Sequence, residues 1–138
     1  MDERRKSVLA IDPGRAKCGV AVVRRSGPDS LDVLHQRVVS TADLPAVLTD
    51  LTTRFSPDAV IVGNGTTADR ALEAARRSTG LDVQVVDEKF TSLLARKRFF
   101  QENPPRGLRK LIPVSLQTPP RPIDDYVAVI LAERYLLT

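Results

Sequence analysis

Three acidic motifs lie far apart in the chain, and each borders an apolar run. Asp12 follows Val8-Leu9-Ala10-Ile11 and precedes Pro13-Gly14. Asp87-Glu88 follows Val83-Gln84-Val85-Val86. Asp124-Asp125 leads into Tyr126-Val127-Ala128-Val129-Ile130-Leu131. Acids at the ends of buried segments come together only on folding. Clustered carboxylates repel one another, and partial burial makes that costly. Divalent cations remove the conflict, and an oxygen-rich set selects hard ions such as Mg²⁺ or Mn²⁺. Two such ions roughly 3.5–4 Å apart activate a water and stabilise the leaving oxygen of a phosphodiester. Each acid alone has a plainer reading. Asp12 before Pro-Gly is a turn former, and the other acids suit the positive end of a helix dipole. The metal-site reading rests on the three motifs together.

The elements that must position them follow from periodicity. Ser7–Asp12, Cys18–Arg25 and Leu31–Val39 read as strands, separated by Pro13-Gly14 and Ser26-Gly27-Pro28-Asp29, which makes an antiparallel meander. In the third, Leu31, Val33 and His35 are expected on one face. The period then changes. Leu44, Val47, Leu48 and Leu51 fall at helical spacing, with Ser40 or Thr41 as cap. Asp58–Gly63 reads as a buried strand, Thr66–Thr79 as a helix ended by Gly80, and Leu81–Asp87 as a fifth strand. A third helix is expected from Thr91 to about Gln101, and a last one from Ile123 onward. Between them, residues 103–122 hold six of the ten prolines and read as a long irregular loop. The order β-β-β-α-β-α-β-α-α predicts an α/β fold over residues 1–138. Its sheet is mixed and five-stranded, with a three-strand antiparallel meander and two further strands parallel to the first. Ligands in such sheets bind beyond the carboxyl ends of the parallel strands, which is where the acids fall.

The chain has 138 residues, and 42% are hydrophobic, enough for one sizeable core. One cysteine, Cys18, excludes an internal disulfide framework and a multi-cysteine zinc site, and with His35 as the only histidine it argues against a Cys/His zinc site. No apolar run reaches membrane-spanning length. The charged start Met1–Lys6 does not read as a secretory signal, so the expected compartment is the cytoplasm. The net charge is +4, but Lys89–Arg121 holds eight basic residues against Glu102 alone. A segment that basic on a mildly acidic body points to a polyanion. Arg15 and Lys17, in the turn after Asp12, are placed to meet a phosphate near the acids. Lys89, Arg96, Lys97, Arg98, Arg106, Arg109 and Lys110 are placed to track a nucleic-acid backbone.

The acidic motifs carry a resemblance. Val8-Leu9-Ala10-Ile11-Asp12-Pro13-Gly14, with Gly19-Val20-Ala21-Val22 after it, resembles the opening hairpin of the YqgF/RuvX family, RNase H-like relatives of the RuvC Holliday-junction resolvases. Val86-Asp87-Glu88-Lys89-Phe90-Thr91-Ser92 resembles that family's second acidic motif. Ile123-Asp124-Asp125-Tyr126-Val127-Ala128 resembles its closing helix. The likeness runs in order along essentially the whole chain. It implies an RNase H-like nuclease domain with Asp12, Glu88 and Asp124 as catalytic, metal-binding acids and Asp125 as a further ligand. It implies a two-ion Mg²⁺ or Mn²⁺ site, and as substrate either the precursor of small-subunit ribosomal RNA or four-way DNA junctions. The partner is then RNA or branched DNA, and the chain a monomer or weak homodimer. Two stretches depart from the family pattern. Gly63-Asn64-Gly65-Thr66 is similar to the YqgF-like domain of the transcription accessory protein Tex, which offers a non-catalytic nucleic-acid-binding module as the alternative. The family's glycine-rich basic loop is replaced by the proline-rich stretch 103–122.

Overall fold

The computed structural model describes residues 6–65 and 67–138. The charged start Met1–Arg5 and Thr66, expected to open the second helix, lie outside the described residues. The strands are β1 (Ser7–Asp12), β2 (Lys17–Arg25), β3 (Leu31–Ser40), β4 (Ala59–Gly63) and β5 (Val83–Val86). The helices are α1 (Leu44–Phe55), α2 (Ala68–Thr79), α3 (Thr91–Glu102) and α4 (Asp124–Leu137). One sheet has the order β3-β2-β1-β4-β5, with β1–β2 and β2–β3 antiparallel, and β1–β4 and β4–β5 parallel. The mixed five-stranded α/β fold expected from the element order is the one observed.

Alternation along the strands splits the core in two. Leu9, Ile11, Val20, Val22, Val60 and Val62 pack with Leu44, Leu48 and Leu51 of α1 and Ala71 and Ala75 of α2. Val8, Ala10, Ala21, Val23 and Ile61 face the other way, onto α3 and α4. β1 and β4 are buried on both faces, which is why their sequences are continuous apolar runs rather than alternating ones. α4 is buried from Asp125 through Ala132, so its apolar residues also run on without a polar face.

Three expectations are corrected. In β3 the side chains do not keep one alternation. Val22 pairs with His35 and Val23 with Val33, so Leu34 is an extra residue, a β-bulge. Leu31 therefore packs with the α4 cluster, while His35 lies on the opposite face against Phe55, with ring centroids 5.9 Å apart. β5 is shorter than expected, since it is an edge strand and pairs with β4 only over Val83–Val86. Residues 103–122 are not wholly irregular. They contain two 3-10 turns, Gly107–Leu111 and Val114–Leu116, each short enough to fit between prolines.

Candidate functional site

β1 stops at Asp12 because Pro13 has no amide with which to extend the ladder. The following turn is tied down from outside the hairpin. Thr41 donates its hydroxyl to the Gly14 carbonyl and its amide to the Ala16 carbonyl, both at 2.9 Å. Gly19 on β2 pairs with Asp12 and lies under the start of α4. A Cβ there would sit 1.8 Å from the Asp124 carbonyl oxygen. Only a glycine lets the helix come close enough to put Asp124 beside Asp12.

Glu88 follows β5 and is seated by the Gly63-Asn64-Gly65 turn at the end of β4. Its amide donates to Asn64 Oδ1 at 3.1 Å. A Cβ on Gly63 would lie 2.7 Å from Glu88 Cγ, and one on Gly65 2.7 Å from Glu88 Oε2. The two glycines leave the space that the Glu88 side chain fills. Phe90, at φ 67°, bends the chain sharply into α3, a conformation a non-glycine residue holds only at a cost of about 1–2 kcal/mol. Thr91 donates both its amide and its hydroxyl to the Glu88 carbonyl, at 3.0 and 2.7 Å. Arg134 of α4 donates to the carbonyls of Asp87 and Lys89, which fixes the same turn from the helix side.

Asp12, Glu88 and Asp124 meet at the carboxyl edge of the sheet. Burial drives the Asp12 carboxyl up to about 9, helped by its hydrogen bond and repulsion with Glu88 and by Asp124. Asp124 is also raised, first by burial and then by the negative charge of Asp125, while the hydrogen bond from Asp12 and the nearby Lys17 pull it back. Asp12 is thus the acid of the three with the strongest hold on a proton, and its single O–H can be donated to only one neighbouring carboxylate at a time. Among the described residues no three such side chains are already set around one point that could hold a cation. The donor set, three carboxylates and no sulfur or imidazole, fits a hard divalent ion that would replace that proton.

Asp125 is turned elsewhere. It is 3% exposed, and its oxygens accept from Gln36 of β3 at 2.8 Å and from both terminal nitrogens of Arg121 at 3.2 and 3.3 Å. Arg121 in turn lies 5.5 Å from the ring centroids of both Phe99 and Tyr126. This network clamps the first turn of α4 to the sheet and to α3. The Asp125→Asn variant should lose about 2 kcal/mol of stability, since it leaves Arg121 without its counter-charge. The loss is read from the denaturation midpoints of variant and wild type.

The basic residues separate into two groups. Arg15, Lys17, Lys89, Lys97, Arg106, Arg109 and Lys110 are exposed. Arg96 and Arg98 are half-buried on α3, and Arg98 pairs with Glu133 of α4. Phe99 and Phe100 are core residues, edge to face at 5.2 Å. The positioning roles of Gln36, Gly19, Asn64, Gly65 and Arg134 are not legible in the sequence. Two glycines flanking an asparagine just after a buried strand were the one signal available. The Gly65→Ala variant tests that seat. The new methyl meets the tip of the Glu88 side chain rather than backbone, so the melting temperature should hold while the Glu88 carboxylate is pushed from its place.

The backbone is similar to those of several solved proteins. The RuvC of Thermus thermophilus, solved in complex with a Holliday junction substrate, superposes with a TM-score of 0.65 at 22% identity, covering 95% of this chain and 93% of that one. This chain has the RuvC fold. A second Thermus thermophilus RuvC structure gives a TM-score of 0.62 over the same shares. The yeast mitochondrial Holliday junction resolvase gives 0.57 at 10% identity, covering 94% of this chain and 77% of that one. No protein-family model matches the chain. None of the curated proteins matches it. The RuvC fold is RNase H-like, and here its sheet edge carries the three acids.

Proposed function

We propose that this protein is a divalent-metal-dependent nuclease that hydrolyses phosphodiester bonds in structured nucleic acid. One observation carries the reading. Three carboxylates from distant parts of the chain converge at the carboxyl edge of a RuvC-like sheet. Three glycines make room for that convergence. Negative charge concentrated in this way is suited to holding a cation.

Asp12, Glu88 and Asp124 would hold Mg²⁺ or Mn²⁺. Bound there, the ions would supply an activated water and stabilise the leaving oxygen. The remaining residues bind and position. The Gly63-Asn64-Gly65 turn fixes Glu88, while Gly19 and the Gln36–Asp125–Arg121 network fix Asp124. Arg15 and Lys17 border Asp12 and meet neighbouring phosphates. Lys89, Lys97, Arg106, Arg109 and Lys110 follow the backbone, giving affinity that falls with salt and reads little sequence. The Gly-Asn-Gly turn that hinted at a non-catalytic module is the seat of Glu88, which supports catalysis. For the substrate, the Holliday junction bound by the Thermus protein makes branched DNA the first candidate, and the family likeness adds precursor ribosomal RNA.

The test is a cleavage panel of four-way DNA junctions, precursor-like RNA stems, single strands and duplexes, each with Mg²⁺ and with Mn²⁺. Wild type should cut at least one structured substrate and stop on chelation. The Glu88→Gln and Asp124→Asn variants should each be slower by about 10³-fold or more, the scale for removing a group that stabilises the transition state. Equal cutting by wild type and both variants, or no cutting of any substrate, would overturn the reading.

A further inference from the structure

The strap between α3 and α4 presents three leucines to solvent: Leu108 is 83% exposed, Leu111 81% and Leu116 76%. They do not sit on slack chain. Gln117, itself 6% exposed, donates its amide to the carbonyls of Arg109 at 2.8 Å and Ile112 at 2.9 Å, and so fixes the first 3-10 turn from inside. Val114 packs against the core cluster of α3 and α4. Pro104, Pro105 and Pro120 line one cleft of about 280 Å³ against Phe99 and Phe100, so the two ends of the strap are seated together. That seat adjoins the first turn of α4. Tyr126 donates to Glu102 at 2.6 Å, and Arg121 pairs with Asp125, the neighbour of Asp124.

In a 3-10 turn residues three apart lie one above the other. Leu108 and Leu111 therefore form a single apolar edge, held out into solvent, with Arg109 and Lys110 on the other sides of the turn. An ordered, exposed apolar edge marks a contact surface. Charge selects the occupant. Residues 103–122 carry Arg106, Arg109, Lys110 and Arg121 and no acid, so a second copy of the same strap would be repelled. A polyanion is attracted, and the strap lies beside the helix that supplies Asp124.

We propose that Leu108 and Leu111 are a wedge that enters the base stack of the bound nucleic acid at a branch point or stem end, while Arg106, Arg109 and Lys110 hold the flanking phosphates. Apolar side chains inserted at a base step unstack it and kink the duplex. The wedge opens the helix next to the acids, so the protein acts where pairing ends rather than along continuous duplex. This rests on the nuclease reading above and adds the structural feature of the substrate that the site selects.

The experiment uses the full chain carrying Asp12→Asn, so that the substrate stays intact, with and without Leu108→Ser and Leu111→Ser together. The probes are a four-way DNA junction with 2-aminopurine beside the branch, and a single strand of matching length. With the leucines present, binding the junction should raise the 2-aminopurine emission. Without them the rise should disappear and junction affinity should fall about 100-fold, the scale of losing the burial of two leucines. Single-strand affinity and melting temperature should stay unchanged. The slope of log affinity against log salt should also hold, because no phosphate contact is lost, whereas Arg109→Ala with Lys110→Ala should lower it by about two. An emission rise that survives the leucine change, or an equal loss on the single strand, overturns the wedge. So does concentration-dependent dimerisation in sedimentation that the leucine change abolishes, which would assign the edge to a second copy. If wild type binds and cuts but the emission stays silent, the wedge alone fails. If wild type neither binds nor cuts, the nuclease reading fails with it.

Discussion

The Asp12→Asn variant should cut nothing measurable, about 10³-fold or more below wild type, and should nonetheless melt at a higher temperature than wild type in chelator at pH 8. Both halves follow from one geometry. Asp12 is the acid that touches both others, so its loss removes the centre of the cation site. The same carboxyl is a burden when no cation is present. Its value rises from 3.8 to about 9 on folding, so between those limits the folded chain holds a proton that the unfolded chain releases. Metal-free stability must then fall as pH climbs through that window, by at most ~1.4 kcal/mol per pH unit. Solvent reaches the half-buried site and screens part of this. Asparagine has no proton to lose, so this contribution is missing from its curve. The gap in melting temperature should be near zero at pH 4, several degrees at pH 8, and level above about pH 9. Adding Mn²⁺ should reverse the order, since wild type gains stability from the ion and the variant does not. A variant melting below wild type at every pH in chelator would show that the three acids are not crowded as described.

The second large effect is structural. Gly19→Ala places a methyl 1.8 Å from the Asp124 carbonyl oxygen, 2.1 Å from its carbon and 2.6 Å from the Asp125 amide nitrogen. All three are backbone atoms, so no side chain can swing away and the helix itself must move. Overpacking of this kind costs about 3 kcal/mol or more, and a fall of roughly 10 °C in melting temperature is expected. α4 packs on β1 and β2 with nearly every residue from Asp125 to Ala132 buried, so it cannot shift locally. Cleavage should fall further than stability alone explains, because the moving part carries Asp124. Melting curves and single-turnover rates on the same preparation separate the two losses. A variant with wild-type melting and wild-type rate would remove the close approach from the account.

The sequence made the sheet legible because burial on both faces writes itself as an unbroken apolar run, as in Val8–Ile11 and Val60–Val62. It made the acids legible because each stands where such a run meets a turn. The β3 bulge was not legible, since one extra residue leaves no mark in a partly polar strand and yet reverses every later side chain. Asp125 was not separable from Asp124. Adjacent helix residues look alike in sequence, and only the positions of Gln36 and Arg121, residues 89 and four positions away, decide which carboxylate turns inward. The prolines make the breaks in the strap legible, but its order comes from Gln117 reaching two carbonyls, a tertiary fact with no local signature.

The bulge at Leu34 has a colloidal consequence. β3 is the outermost strand on its side, with a full row of amides and carbonyls along its free margin. A flat margin of that length would template the same margin of another molecule and propagate into fibrils. One surplus residue breaks the repeat, and the Arg24–Asp32 ion pair and the exposed Arg37 add charge along it. Concentrated stocks of this basic protein should therefore stay clear without the ladder-like pairing that a straight edge invites.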